Sequence, residues 1–206
     1  MSVDLIVLLA FVPAGLALNL TPGADMMFCL AQGLRGGARP GWAASAGIAA
    51  GGLVHAALAG LGLSALLATF PAAFEAIRWG GVAYLLWLAV KTLRAPIGGP
   101  QGKGLRPAQA FVQGFAVNMT NPKVILFILA FVPQFVTPDR AILPQFLIFG
   151  MVLSLGGLVI NGLVGQFAGY LRAGLTGGSV ADRVLRWLSA TLFAGLAVRL
   201  ALTSTR

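Results

Sequence analysis

Apolar residues run along this chain in long blocks, not at the spacing of a half-wet helix. Six blocks, at 5–34, 41–67, 70–93, 110–136, 142–171 and 184–201, each reach or exceed the length of about 18 apolar residues that marks a spanning helix. Together they predict an all-α integral membrane protein of six transmembrane helices. Pro40, Pro71 and Pro144 stand near the starts of three of them, where a missing backbone donor costs little. The first and fourth blocks are longer than a bilayer needs, and polar residues interrupt both. The interruptions read ALNLTPGADMM at 17–27 and AVNMTNPKVIL at 116–126. Proline in a helix interior removes a backbone hydrogen bond and clashes with the turn before it, at a cost of about 3 kcal/mol. In lipid the freed carbonyls must also find partners. Two half-helices joined by a bend are therefore expected in each block, with helices 1 and 4 broken at Pro22 and Pro122. Thr21-Pro22 and Asn121-Pro122 both read as a helix N-cap followed by proline at the first helical position. Gly23 adds a small residue where backbone must pass closely.

The two interruptions resemble one another. A shift of 99 positions aligns Gly15 with Gly114, Ala17 with Ala116, Asn19 with Asn118, Thr21 with Thr120, Phe28 with Phe127, Leu30 with Leu129 and Ala31 with Ala130. Two repeats, 1–94 and 110–206, joined by a Pro/Gly-rich linker at 95–109, make one transporter domain of three spans plus three. An odd number of spans per unit forces the second copy to enter the membrane from the opposite side. The result is a 3+3 inverted repeat.

Composition agrees with a membrane protein. The 206 residues are 58% hydrophobic and only 9% charged, against about 25% charged in soluble domains. The net charge of +9 comes from Lys and Arg scattered between the blocks, which excludes a nucleic-acid-binding face and suits anionic lipid headgroups. The side bearing the loops after the first, third and fifth blocks has Arg35, Arg39, Lys91, Arg94, Lys103, Arg106, Arg172, Arg183 and Arg186; the other side has Arg78, Arg140, Arg199 and Arg206. By the positive-inside rule the first group faces the cytoplasm and both termini face outward. Asp4, with no Lys or Arg before Leu9, is unlike the basic start of a cleaved signal, so the first block is expected to remain as a span. Cys29 is the one cysteine, which excludes an intrachain disulfide and a cysteine metal cluster. No cofactor or metal is expected. A homo-oligomer is left open.

Charge at membrane depth is scarce and concentrated. Asp4, Glu75, Asp139 and Asp182 fall at ends or in loops, which leaves Asp25 as the acid within a span; Lys123 is its basic counterpart. A charge at the bilayer centre costs about 2.5–3.5 kcal/mol on insertion scales, so such groups face a cavity or each other. One reading makes Asp25 and Lys123 a buried ion pair that locks the two bends. The other makes Asp25 a proton carrier or an ammonium ligand, with Lys123 on a substrate carboxylate. The unpaired amides and positive dipole end of a half-helix at membrane depth also suit an anionic group. The candidate binding residues are Asn19, Thr21, Pro22, Gly23, Asp25, Asn118, Thr120, Asn121, Pro122 and Lys123. His55, the single histidine, lies on the stripe Ala43, Gly47, Gly51, His55, Ala59. Small residues at that spacing let another helix approach, so packing explains the stripe, while proton relay with Asp25 is the functional reading of its histidine. Asn161 and Gln166 are expected to hydrogen-bond across helices. Trp42, Trp79, Tyr170 and Trp187 read as interface anchors.

These residues resemble the lysine exporter (LysE/RhtB) family of bacterial amino-acid exporters. The family's TPGP segment appears as Thr21-Pro22-Gly23-Ala24, with Asp25 next; Ala24 replaces the second proline, so the first half-helix begins less rigidly. GVAYLLWLAVKTLR at 81–94 resembles the family's third span, and NPKVILFILAFVPQF at 121–135 its fourth. The resemblance implies a six-span exporter of the bacterial inner membrane, moving amino acids or their analogues outward in exchange for protons. A passive channel, or an exporter of another small solute or cation, is the competing reading; the polar residues cluster at two breaks instead of lining a path. An intramembrane enzyme is disfavoured by the lack of paired acids, a zinc triad or a nucleophile with its base.

Overall fold

The computed structural model describes residues 3–69 (63–69 by their backbone alone), 105–168, and scattered positions between 79 and 90 and between 183 and 202. The expected third and sixth spans are thus described at isolated residues only, all of them helical, and most of the linker, Tyr170, Glu75 and Asp182 lie outside the described residues. Every regular element among the described residues is helical: α1 (Leu5–Leu20), α2 (Ala24–Gly36), α3 (Ala38–Thr69), α4 (Pro107–Met119), α5 (Pro122–Ala130), a 3-10 turn (Val132–Phe135) and α6 (Ile142–Gln166).

Two of these helices are long and apolar enough to cross a membrane, α3 through Ala38–Gly62 and α6, with mean hydropathies of 1.5 and 2.2. The number rises to four if each bent pair counts as one span: α1 with α2, meeting at 55°, and α4 with the segment Pro122–Phe135, at 53°. The fourth apolar block starts as helix at Pro107, three residues earlier than expected, because proline suits the first helical position and Gln109 turns back to accept the Arg106 N–H.

The distribution of side chains on α6 inverts that of a soluble helix. Leu147, Met151, Leu155, Val159 and Leu163, spaced by four, are exposed, while Gln145, Ser154 and Asn161 are buried. An apolar stripe of that length is costly in water and neutral against lipid tails, so the polar groups turn inward. The core between α1, α5, the 3-10 turn and α6 is aromatic: Phe11 packs 4.7 Å from Phe149 and edge-on 5.1 Å from Phe135 between ring centres. Gln145 anchors the turn that follows, accepting the Thr137 N–H and donating to the carbonyls of Thr137, Arg140 and Ala141.

α3 is the central post, packed on α4, α6 and α2. It leaves α2 through Gly37, whose φ of 81° is the left-handed conformation that glycine adopts without strain. The small-residue stripe works as expected: Gly47 lies directly against the Phe111 backbone of α4. On the α6 side the buried Ser45 hydroxyl donates to the Leu158 carbonyl at 2.8 Å. Ser45→Ala is expected to lower the unfolding free energy in mixed micelles by about 0.6 kcal/mol, the usual worth of such a bond between membrane helices. At the expected outer face Arg140 donates to Asp4 at 2.8 Å. That hydrogen bond and the guanidinium charge hold the Asp4 carboxyl below its ordinary range. The link is therefore present at neutral pH and lost in strong acid; being exposed, it adds little stability.

Candidate functional site

Both bends bring polar groups to the same depth of the bundle. α1 ends with Thr21 as C-cap, whose extended backbone (φ −70°, ψ 122°) is what a following proline demands. This corrects one expectation. Thr21 does not cap the next helix; its hydroxyl donates back to the Ala17 carbonyl at 2.6 Å. Gly23 is the N-cap of α2, and Pro22 sits in the link instead of at the first helical position. At the second bend the expected cap forms: Asn121 Oδ1 accepts the Lys123 N–H at 3.0 Å and Pro122 opens α5.

Asp25 occupies the first turn of α2, where the positive end of the helix favours a carboxylate. That N-terminus therefore already faces an anion of its own chain. Asp25 is buried and its Oδ2 accepts from Asn118 Nδ2 of α4 at 2.9 Å. The Asn118 carbonyl oxygen lies 3.2 Å from His55 Nε2 on α3, so the tautomer protonated at Nε2 donates to it. Gly51 makes room for this arrangement: a Cβ there would stand 2.7 Å from Asn118 Oδ1. Asp25 Oδ1 and Asn118 Oδ1 are both buried acceptors without a hydrogen-bond partner. Two bare acceptors on adjoining groups fit a ligand that is rich in donors.

Lys123 is held by the end of α1 instead of by the Asp25 carboxylate. Its ammonium makes no direct ion pair with Asp25 but donates to the carbonyls of Leu18 at 3.1 Å and Thr21 at 2.9 Å. Those carbonyls belong to the last turn and cap of α1, the negative end of that half-helix, where a cation is favoured. The ammonium also lies against Gly23, 3.1 Å from where a Cβ would sit.

The remaining candidates divide. Thr21, Gly23, Asp25, Asn118, Asn121, Lys123 and His55 gather around the two bends. Asn19 faces away to α6, donating to the Leu153 carbonyl at 3.0 Å and lying against Gly157. Thr120 is exposed and its hydroxyl returns to the Ala116 and Val117 carbonyls. Pro122 is exposed and Pro22 half-buried. Gln166 meets the Trp42 indole across helices at 2.8 Å, whereas Asn161 Oδ1 has no partner. Among the described residues no group of three or more His, Cys, Asp or Glu could hold a metal ion. Sequence reading missed a cavity beside the site, between α2 and α4, whose lining includes Gln32, Arg35 and Gln113; the recurrence of lining residues at 24, 27, 28, 31 and 35 was its available signal.

Comparison with known proteins places this geometry in context. The family model described as LysE type translocator matches residues 16–204. A membrane protein of Vibrio cholerae is 34% identical over 82% of this chain and 86% of its own. The homoserine/homoserine lactone efflux protein of Salmonella typhimurium is 30% identical over 87% of this chain and 82% of its own. A leucine efflux protein of Klebsiella pneumoniae is 34% identical over 62% of each chain. No solved structure matches. The chain belongs to the family of LysE type translocators.

Proposed function

We propose that the protein is a secondary active exporter of amino acids or amino-acid-like metabolites, driven by proton antiport. Its transport domain is a 3+3 inverted repeat of six spans in the bacterial inner membrane, both termini outward, with each bent helix pair a single broken span. The binding site lies near the midplane between the two breaks.

One observation carries this reading: Asp25 Oδ1 and Asn118 Oδ1, contributed by the two bent pairs, are buried acceptors with nothing to accept from. A proton on Asp25 or a substrate ammonium satisfies the same carboxylate, so the two bind in competition, which is what exchange transport requires. Asn118 passes the change to His55 through its carbonyl, and His55 serves as the second proton carrier. Thr21, Pro22 and Gly23, with Asn121 and Pro122, shape the backbone around the ligand. Asn19 and Thr120 stand at the margin of the site. Lys123 holds the end of α1 and, released from those carbonyls, is available to a substrate carboxylate. The efflux proteins among the relatives support small amino acids as the substrate class.

Proteoliposomes loaded with leucine or homoserine and given an inward proton gradient provide the test. Export against a concentration gradient, with matching proton entry, is expected. Flux that only runs downhill and ignores the proton gradient would mean a passive pore.

A further inference from the structure

Beside the Asp25 site a cavity of about 360 Å³ runs between α2 and α4. Its α2 lining recurs at helical spacing on one face, from Ala24 next to Asp25 to Arg35 in the last turn. That is a run of twelve residues, or about 16 Å of helix from first to last. The cavity therefore extends along α2 from the residue beside Asp25 to the end that leads into the first loop. Cavities of this size are at the lower end of those that enclose small organic ligands.

The lining has a specific chemistry. Arg35 is its one charged residue among the described ones, and its Nε is buried without a hydrogen-bond partner. A buried guanidinium nitrogen left unpaired is costly unless something arrives to accept from it. Proximity to the C-terminal end of α2 explains the presence of a cation but leaves that donor unused. Gln113 supplies a neutral amide from α4, and Met27 and Phe28 supply an apolar wall. No acid lines the cavity among the described residues.

We infer that this cavity is the loading site for α-amino acids with neutral side chains: Arg35 takes the carboxylate, the Gln113 carbonyl takes the ammonium, and Met27 and Phe28 take the side chain. A basic amino acid brings a second cation into a lining that holds no counter-charge, so lysine is rejected here before it reaches Asp25. The inference rests on the export reading and adds to it the class of substrate and the residues that select it.

The full chain in proteoliposomes, exchanging labelled leucine or lysine, tests it. Wild type is expected to exchange leucine and refuse lysine. Arg35→Gln is expected to raise the KM for leucine about tenfold or more, the worth of a charge-assisted bond to a carboxylate, with the maximal rate retained. Arg35→Lys is expected to recover most of that loss. Gln113→Glu, at an exposed position of α4, is expected to admit lysine and so tests selection without touching Arg35. An unchanged leucine KM in Arg35→Gln, or lysine exchange by wild type matching that of leucine, would overturn the loading site while leaving export standing. Wild-type liposomes that exchange no amino acid at all would instead overturn export, and this inference with it.

Discussion

Asp25→Asn is expected to abolish proton-coupled export while leaving a folded protein in the membrane. Asparagine keeps the size of the side chain and an oxygen for the Asn118 amide, so the 2.9 Å contact between the two bent pairs has a replacement. It cannot take up and release a proton, and its neutral amide binds an ammonium poorly in a dry site. The stability cost is set by the lost carboxylate at the start of α2, at most about 2 kcal/mol for a charge against a helix N-terminus. The measurement is proton entry and leucine exit in the same proteoliposomes, beside the elution profile of the purified variant. Wild-type coupling in this variant would remove Asp25 from the mechanism.

Lys123→Met carries the larger structural penalty. Methionine fills a similar volume but leaves the Leu18 and Thr21 carbonyls without their donor and Asp25 without a compensating cation. Each buried acceptor left without its donor costs about 1–3 kcal/mol. Unfolding in mixed micelles is expected to register a loss of that size, together with loss of transport. Adding Asp25→Asn to Lys123→Met removes the buried charge left without a cation near it, so the double variant is expected to regain part of the stability but none of the proton coupling. A double variant no more stable than Lys123→Met alone would show that the two charges act independently.

How much of this was legible in the sequence depended on the range of the forces involved. Asn121-Pro122 was readable because an N-cap is made within two residues. Thr21-Pro22 looked the same but behaved otherwise, because its hydroxyl found the Ala17 carbonyl behind it and Gly23 took over the start of α2. Pro13 shows that proline alone decides little: it lies inside an unbroken α1, with neither a cap residue before it nor glycine after it. The small stripe of α3 announced close packing, and Gly47 and Gly51 provide it. Which partner each charge would choose was beyond local reading. Lys123 preferred two carbonyls of α1 to the Asp25 carboxylate, an outcome that depends on where α1 happens to stop. Arg35 was countable as a positive loop residue, but its unpaired nitrogen appears only once α2 and α4 stand side by side.

The reach of Lys123 across to the end of α1 has a consequence for leakage. A carrier with two independent gates has four combinations of open and shut, one of which is a continuous hole. In the exporter proposed above the two bends would serve as its gates, and the Lys123 ammonium at the start of one also fastens the end of α1 at the other, so moving either would disturb both. A pair of gates clasped by one hand tends towards two poses instead of four, and the hole is the pose it loses.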